Sequence, residues 1–369
     1  MDDRSRRQLA RLLLAWFAEN HRKLPWRGTR DLYRIWVSEI MLQQTQVAAV
    51  VPYFERFLIS FPTVAELAAA PEEQVLRHWE GLGYYRRARQ LHAAARMIAT
   101  EHDAEFPREF EQVRALPGIG RYTAGAILSL GLDHRLPILE ANTIRLLSRL
   151  ATYRGDTAST AGQKFLWAMA EQILPRKNVG QFNQALMELG SQICTPRQPK
   201  CEECPLATLC PTRKLGLTES IPASKKPKQY EEVVEAVVVI RHGSKVFVRR
   251  RGQEERWAGL WDFPRFASAK ASPHAQRVKA LAASTALQTG IEFEGAELLT
   301  TLKHGVTRFR ITLHCYQAQF TGLAAATTRG NRRVVAAAKL EQAWVNVSKL
   351  EELPLSVTAR KIARMLVSE

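Results

Sequence analysis

Four of the five cysteines in this 369-residue chain, Cys194, Cys201, Cys204 and Cys210, fall within 17 residues in the spacing Cys-x6-Cys-x2-Cys-x5-Cys. Thiols packed this closely either cross-link or wrap a metal, and in a chain that reads as non-secreted the clustering points to metal ligation. Four thiolates at these intervals hold either a [4Fe–4S] cluster or a structural zinc. Zinc sites usually arrive as two close pairs, and only Cys201 and Cys204 are close here. The spacing alone leaves both open. The fifth thiol, Cys315, lies in a strand-like run and reads as a buried structural cysteine.

Charge narrows the partner. Fifty-three Lys and Arg stand against 36 Asp and Glu, a net charge of +17. That excess favours a polyanion, of which nucleic acid is the commonest. With 46% hydrophobic residues a core is available and disorder is excluded by composition. The length suggests two or three domains. Near the N-terminus the apolar run from Leu12 to Phe17 is short and flanked by acidic residues, so it is neither a signal peptide nor a membrane span. Leu9, Leu12, Leu13, Trp16 and Phe17 share one face of an amphipathic helix. The expectation is a monomer with no membrane partner, in the cytoplasm of a prokaryote and associated with its nucleoid.

Apolar residues recur at helical spacing over 31–58, 73–100, 121–131 and 142–151, punctuated by Pro and Gly. Pro211 to Tyr230 is rich in Pro, Lys and Ser and reads as a linker. Beyond it the period changes. Residues 235–240 are β-branched and apolar, 245–249 and 308–320 alternate, and helical stretches follow near 274–288 and 356–367. A helical region is thus followed by a separate α+β domain.

Leu116 to Leu128 reads LPGIGRYTAGAIL. Gly118 and Gly120 permit a tight turn and close backbone approach, and a helix starting near Thr123 would aim its free N–H groups at a phosphate oxygen. A bare Gly-x-Gly would equally suit a plain helix turn. The whole string resembles the helix-hairpin-helix motif of DNA glycosylases in the endonuclease III superfamily. With that resemblance the cysteine loop is similar to the superfamily's iron–sulfur loop, which implies a [4Fe–4S] cluster on Cys194, Cys201, Cys204 and Cys210.

WVSEIMLQQTQV, Trp36 to Val47, carries one carboxylate, Glu39, among apolar neighbours. Buried, it would be held protonated, as a general acid requires; from this window alone an exposed helix face explains it equally. The string resembles the adenine DNA glycosylase family, as do LPWR (24–27), VPYFERF (51–57), WEGLGYYRRARQL (79–91) and FNQALMELG (182–190). The resemblance spans essentially the whole chain. It implies a mainly α-helical helix-hairpin-helix core with an iron–sulfur loop and a C-terminal α+β Nudix-like domain. The division would be a catalytic region over 1–213, with a six-helix barrel at about 25–135 and an iron–sulfur domain from 1–24 and 136–213. A linker over 214–230 and a lesion-recognition domain over 231–369 would follow. It further implies that Glu39 protonates the purine, and that Trp26, Arg27 and Leu42 form the base pocket. Gln184 would contact the adenine edge, and Gln44 and Tyr85 would wedge into the duplex, since a stacked base must be extruded before it can be cut. Related bifunctional enzymes carry a Lys where this chain has Tyr122. A phenol forms no Schiff base, so base release without strand cleavage is implied.

Two segments depart from the family pattern. Where the family has Asp-Gly-Asn, this chain has Glu140-Ala141-Asn142. A carboxylate here must stabilise or trap a cationic sugar, as in retaining glycoside hydrolysis, and Glu140 adds a methylene. Asn142 and Tyr122 are expected to hold this second carboxylate. An inert residue at a helix start is the plain alternative for Glu140. In the C-terminal domain, which resembles the Nudix-like reader (WAGLWDFPRF, 257–266) but lacks the hydrolase metal motif, Val306-Thr307-Arg308 replace Phe-Ser-His. Thr307 and Arg308 then contact the opposite base or a phosphate. The implied substrate is double-stranded DNA with adenine facing 8-oxoguanine or guanine. The alternatives are a related glycosylase with another target or opposite base, and a catalytically impaired mispair-binding protein.

Overall fold

The computed structural model describes residues 2–223, 229–269, 272–324 and 341–367. Two compact units make up the chain: Met1–Ala70 with Arg86–Lys226, and Pro71–Tyr85 with Pro227–Glu369. No helix among the described residues is long and apolar enough to cross a membrane.

The first unit is helical. Helix α1 (Asp3–Asn20) is opened by the Asp2 carboxylate, which accepts the Ser5 N–H. Its Leu9, Leu13 and Phe17 pack into one core with α9 (Ala141–Leu150), α10 (Thr160–Gln172) and α11 (Val179–Gln192), reaching Leu206 beside the cysteine loop. Helix α2 (Leu32–Leu42) is buried along most of its length and packs against α8 (Arg121–Leu132). The continuous helical period over 31–58 is in fact broken. Helix α3 (Val47–Ser60) begins only after a loop in which Gln44 takes the left-handed φ of 58°. Arg87, near the start of α6 (Arg86–Glu101), secures that loop by donating to the carbonyls of Ile40, Met41 and Gln43 and to Thr45 Oγ1. A cation at a helix C-terminus satisfies carbonyls that have no partner within the helix.

Helix α4 (Val64–Ala69) carries a Thr63/Glu66 capping box and packs on α6. Helix α7 (Phe110–Ala115), the turn and α8 form the hairpin. Gly118 sits at φ 80°, where a Cβ would also lie 2.8 Å from Gln90 Cβ, so only glycine suits the turn. Helix α8 starts at Arg121, earlier than the expected Thr123, because Gly120 is already the extended N-cap. The stretch after α12 (Pro211–Lys214), read as linker, packs on this unit up to Ile221, which is buried and whose carbonyl accepts Arg149 Nε at 2.8 Å.

The second unit is a mixed sheet between helices. Strands β1 (Glu231–His242), β2 (Lys245–Arg250), β3 (Trp261–Asp262), β5 (Ile291–Val306) and β6 (Phe309–Leu323) run in the order β3-β2-β1-β6-β5. Strand β4 (Arg265–Ser268) pairs with β1 and β7 (Gln342–Asn346) with β2. Strands β1 and β6 are parallel, with Val237 opposite Cys315. Alternation along β1 feeds both faces. Ala236, Val238 and Ile240 join the core under α13 (His274–Thr289). Val237 and Val239 join the core with Cys315 under α14 (Val357–Val367). Cys315 is therefore the buried structural thiol expected of it. Helix α5 (Glu72–Trp79) belongs to this unit although chain order places it among the first unit's helices.

Candidate active site

A cavity of about 490 Å³ opens in the helical unit, within the range that holds a small-molecule ligand or base. Glu39, Tyr122, Glu140, Asn142, Trp26, Arg27, Leu42, Gln44 and Gln184 all line it. Residues from five separate stretches of sequence are thus brought to one place.

Glu39 comes from the last turns of α2, which is buried on the side facing α8. Tyr122 Oη donates to Glu39 Oε2 at 2.7 Å and also meets Met187 Sδ at 3.4 Å. Burial pushes the Glu39 carboxyl up, the Tyr122 hydrogen bond opposes this, and the charge of Glu140 adds to it, leaving Glu39 at about 7. Desolvation wins because one hydrogen bond returns less than the lost hydration of a carboxylate. Tyr122 itself is held well above its ordinary value by burial and by the two carboxyls, so it stays a donor.

Glu140 is the N-cap of α9. Its Oε2 accepts the Asn142 N–H at 2.8 Å and its Oε1 the Thr143 N–H at 2.9 Å, while Thr143 Oγ1 takes the Glu140 N–H at 2.7 Å. The side chain thus caps a helix and faces the cavity at once. Burial raises its carboxyl, and the two N–H groups and Arg145 pull the other way without reversing the direction. The expected arrangement differs in one respect: the Tyr122 phenol is bonded to Glu39, not to Glu140. Helix α9's own first turn holds Glu140, leaving the phenol for the acid on α2.

Asn142 is fixed from behind. Arg145 Nη2 donates to its Oδ1 at 2.9 Å and to the Gly190 carbonyl, and Arg145 Nε donates to the Cys194 carbonyl. Helices α9 and α11 cross here so closely that a Cβ on Gly190 would stand 2.8 Å from Asn142 Cβ.

Sequence reasoning missed a third carboxylate. Glu188, buried on α11, accepts Arg22 Nε and Nη2, each at 2.8 Å, together with Arg27 Nη2. Burial pushes it up, but Arg22 and Arg27 overrule that and bring it down to about 2. It stays charged beside a Glu39 poised near 7, so the cavity sets a fixed anion against a titratable acid, with Glu140 as the remaining carboxyl. The four-residue interval from Gln184 to Glu188 was the available signal, since it places both on one helix face. Arg27 lines the cavity but its guanidinium is committed to Glu188 and to the Arg22 carbonyl. Gln184 makes no protein hydrogen bond among the described residues, and its amide remains available to a ligand.

The other expected contacts lie elsewhere. Gly118 and Gly120 form the hairpin turn, with the α8 N-terminus lacking a side-chain cap. Tyr85 is buried and its hydroxyl meets the Gly81 N–H at 3.4 Å; the exposed ring is that of Tyr84, at φ 48°. The left-handed residue turns its side chain outward, and the next one turns in. Thr307 and Arg308 are the two-residue tip of the β5–β6 hairpin, Thr307 at the positive φ such turns require, and both are exposed.

Cys194, Cys201, Cys204 and Cys210 line one small, mostly closed pocket with Arg149, whose Nη1 lies 3.2 Å from Cys194 Sγ. Among the described residues no three His, Cys, Asp or Glu side chains close on a single-ion site. Four thiols around one pocket that do not meet at a point fit a multi-iron cluster, where each thiolate binds a different iron, better than one tetrahedral zinc.

The comparisons agree. Residues 37–171 match the HhH-GPD superfamily of base excision DNA repair proteins, 194–210 the iron–sulfur binding domain of endonuclease III, and 236–365 the NUDIX domain. Fold and site therefore define a helix-hairpin-helix base excision repair protein with a [4Fe–4S] loop and a Nudix-type second unit. A solved thermostable thymine-DNA glycosylase is similar with a TM-score of 0.54 and 28% identity, over 58% of this chain and 98% of its own. The adenine DNA glycosylase of Buchnera aphidicola subsp. Schizaphis graminum is 40% identical over 258 residues, 70% of this chain and 74% of that one. The human adenine DNA glycosylase is 41% identical over 58% of this chain and 40% of its own length. The chain belongs to the adenine DNA glycosylase family.

Proposed function

We propose that this chain is a monofunctional base excision glycosylase that hydrolyses the N-glycosidic bond of adenine mispaired with 8-oxoguanine or guanine in double-stranded DNA. The observation that carries the reading is Glu39, a buried carboxyl near 7, facing Glu140 in one cavity of base-binding size. Glu39 protonates the extruded adenine, the bond from C1′ to N9 breaks, and Glu140 stabilises the cationic sugar until water completes the reaction. Asn142 orients that end of the cavity through Arg145, and Tyr122 positions Glu39. Trp26, Leu42 and Gln184 receive the purine, with Arg27 acting through Glu188. Gln44 and the exposed Tyr84 fill the stack, the hairpin turn at Gly118 and Gly120 holds a phosphate, and Thr307 and Arg308 read the opposite base.

The division of labour in this reading is a barrel at about 25–135, an iron–sulfur region in 1–24 and 136–213, a linker over 214–230 and a reader over 231–369, although residues 71–85 group with the second unit and the chain as far as Ile221 packs on the first. The same reading has the chain act as a monomer. The net charge of +17 suits a protein that works on the nucleoid of a prokaryotic cytoplasm.

One observation favours a second reading. Both Glu140 oxygens already accept helix N–H groups, as they would in a chain that only marks mispairs. A panel of duplexes with adenine opposite 8-oxoguanine, guanine, cytosine and thymine, followed by alkali, separates the two. Alkali-dependent cleavage at adenine opposite 8-oxoguanine or guanine supports excision. Tight mispair binding without abasic product supports the marker, and cleavage without alkali defeats the monofunctional assignment.

A further inference from the structure

Helix α5 ends in a side chain gripped by the C-terminal fold. Glu80 Oε1 accepts Arg360 Nε at 2.6 Å, and Oε2 accepts Arg360 Nη2 at 2.9 Å and the Leu355 N–H at 3.4 Å. Arg360 also donates to the carbonyls of Leu350 and Leu353, at 2.8 and 2.6 Å. Two turns earlier on the same helix, Glu73 Oε1 accepts Trp261 Nε1 at 2.7 Å. Glu80 and Arg360 side chains are only 10% and 9% exposed.

A buried ion pair is a poor way to gain stability, because desolvating both charges offsets most of their attraction and apolar residues of similar size often do better. What a two-point carboxylate–guanidinium contact supplies is direction, since neither group can rotate without breaking a bond. Direction matters at this spot. The next residues take φ of 104° at Gly81, 70° at Gly83 and 48° at Tyr84. Glycines set no preference of their own, and a left-handed tyrosine is costly unless its surroundings hold it. The Trp79 Nε1 bond to the Gly83 carbonyl, at 3.1 Å, ties the loop back to α5, so the orientation of α5 bears on that of the loop. At its tip stands the exposed Tyr84 ring.

We propose that Glu80 and Arg360 are positioning residues through which the C-terminal fold sets the attitude of the Gly81–Tyr85 loop, and with it the insertion of Tyr84 into the duplex. This inference rests on the reading of the chain as a base-extruding glycosylase. The pair aims the ring that fills the stack, while the chemistry at Glu39 depends on it only through how often the base is out.

The full-length protein with its cluster tests this. Glu80→Gln, Arg360→Met and the double variant Glu80→Gln/Arg360→Met are compared with wild type. The first readout is fluorescence of 2-aminopurine beside the target adenine, which reports duplex opening. The second is single-turnover adenine release with enzyme in excess. Each single variant is expected to lose opening and release together, by about tenfold, less than the roughly hundredfold that a 1 Å misplacement of a reacting group can cost. The double variant should lose no more than the larger single loss, because the two residues act through one contact, with cluster absorbance unchanged throughout. Single variants that open and cut DNA within about twofold of wild type overturn the proposal. So does a loss of release with normal opening, or single losses that multiply in the double variant. A wild-type protein that opens the duplex but frees no base defeats the glycosylase reading instead, and the fluorescence comparison still judges this one.

Discussion

Tyr122 Oη stands 2.7 Å from Glu39 Oε2, joining the second helix of the hairpin to the acid on α2 by one hydrogen bond. That bond stabilises the ionised carboxyl, while burial and Glu140 favour the protonated one. The two tendencies leave Glu39 near the pH at which it must give up a proton.

Adenine release should therefore fall as pH rises through about 7, because the proton donor is lost. Tyr122→Phe removes the interaction that lowers Glu39, so its descending limb should move to higher pH. Single-turnover rates across pH check this; a limb that stays put or moves down refutes the coupling.

Glu39→Gln should reduce base release by about a thousandfold or more while DNA binding persists. The same change should stabilise the fold in alkali. Folded Glu39 keeps its proton up to about 7, whereas an unfolded glutamate releases it near 4.5, so the folded state binds more protons between those values. Stability from this group is complete below the lower value and declines through the upper one. Glutamine avoids that loss, at most about 3 kcal/mol, and melting at pH 8 against pH 5 measures it.

Glu140→Asp should raise the excision rate, by up to about a hundredfold if the methylene misplaces the carboxylate by 1 Å. Aspartate is among the best N-caps, so α9 should be undisturbed. Glu140→Ala should abolish excision and also cost about 1 kcal/mol of stability through the lost cap. An Asp variant slower than wild type would mean that the backbone around Ala141 already fits the longer side chain.

Cys204→Ser should remove the cluster, seen as loss of visible absorbance, and lower the melting temperature. The cysteine loop packs against Leu206 and the α1, α9 and α11 core, and Arg149 spans from that core to Cys194 and Thr195. Unchanged melting after cluster loss would show that the loop holds itself.

Arg308→Ala should alter the preference among opposite bases, or reduce the slope of log K against log salt by about one if its contact is to phosphate. The residue is 71% exposed and its ion pair with Glu231 is loose at 3.8 Å, so little stability should be lost.

Helical period revealed α8 and α9 almost to the residue, a β-branched apolar run revealed β1, and alternation revealed β2 and β6. It failed at two places for one reason. The apolar spacing of 31–58 and 73–100 runs on without interruption, yet the backbone leaves the helix at Gln44 and Tyr84, both at positive φ. Neither residue advertises that conformation locally; Arg87 holds the first loop from a distant part of the chain, and the Trp79 bond to the Gly83 carbonyl ties back the second. Strand β5 escaped notice because register shifts between Glu292 and Phe293, Glu294 and Glu297, and Leu298 and Thr300 interrupt its alternation. In the cavity, Glu39, Glu140 and Tyr122 were legible because each sits in a distinctive string. The Arg22–Glu188–Arg27 cluster was not, because its partners lie far apart in sequence and only folding makes them a set.

The crossing at Gly190 gives the chain a weak point remote from any base. A single methyl added there would act as a shim between α11 and α9, prising Gln184 and Glu188 away from Asn142 and Glu140. Such a protein could keep every chemical group it needs and still be idle, its slot a fraction of an ångström too wide for the purine it must grip.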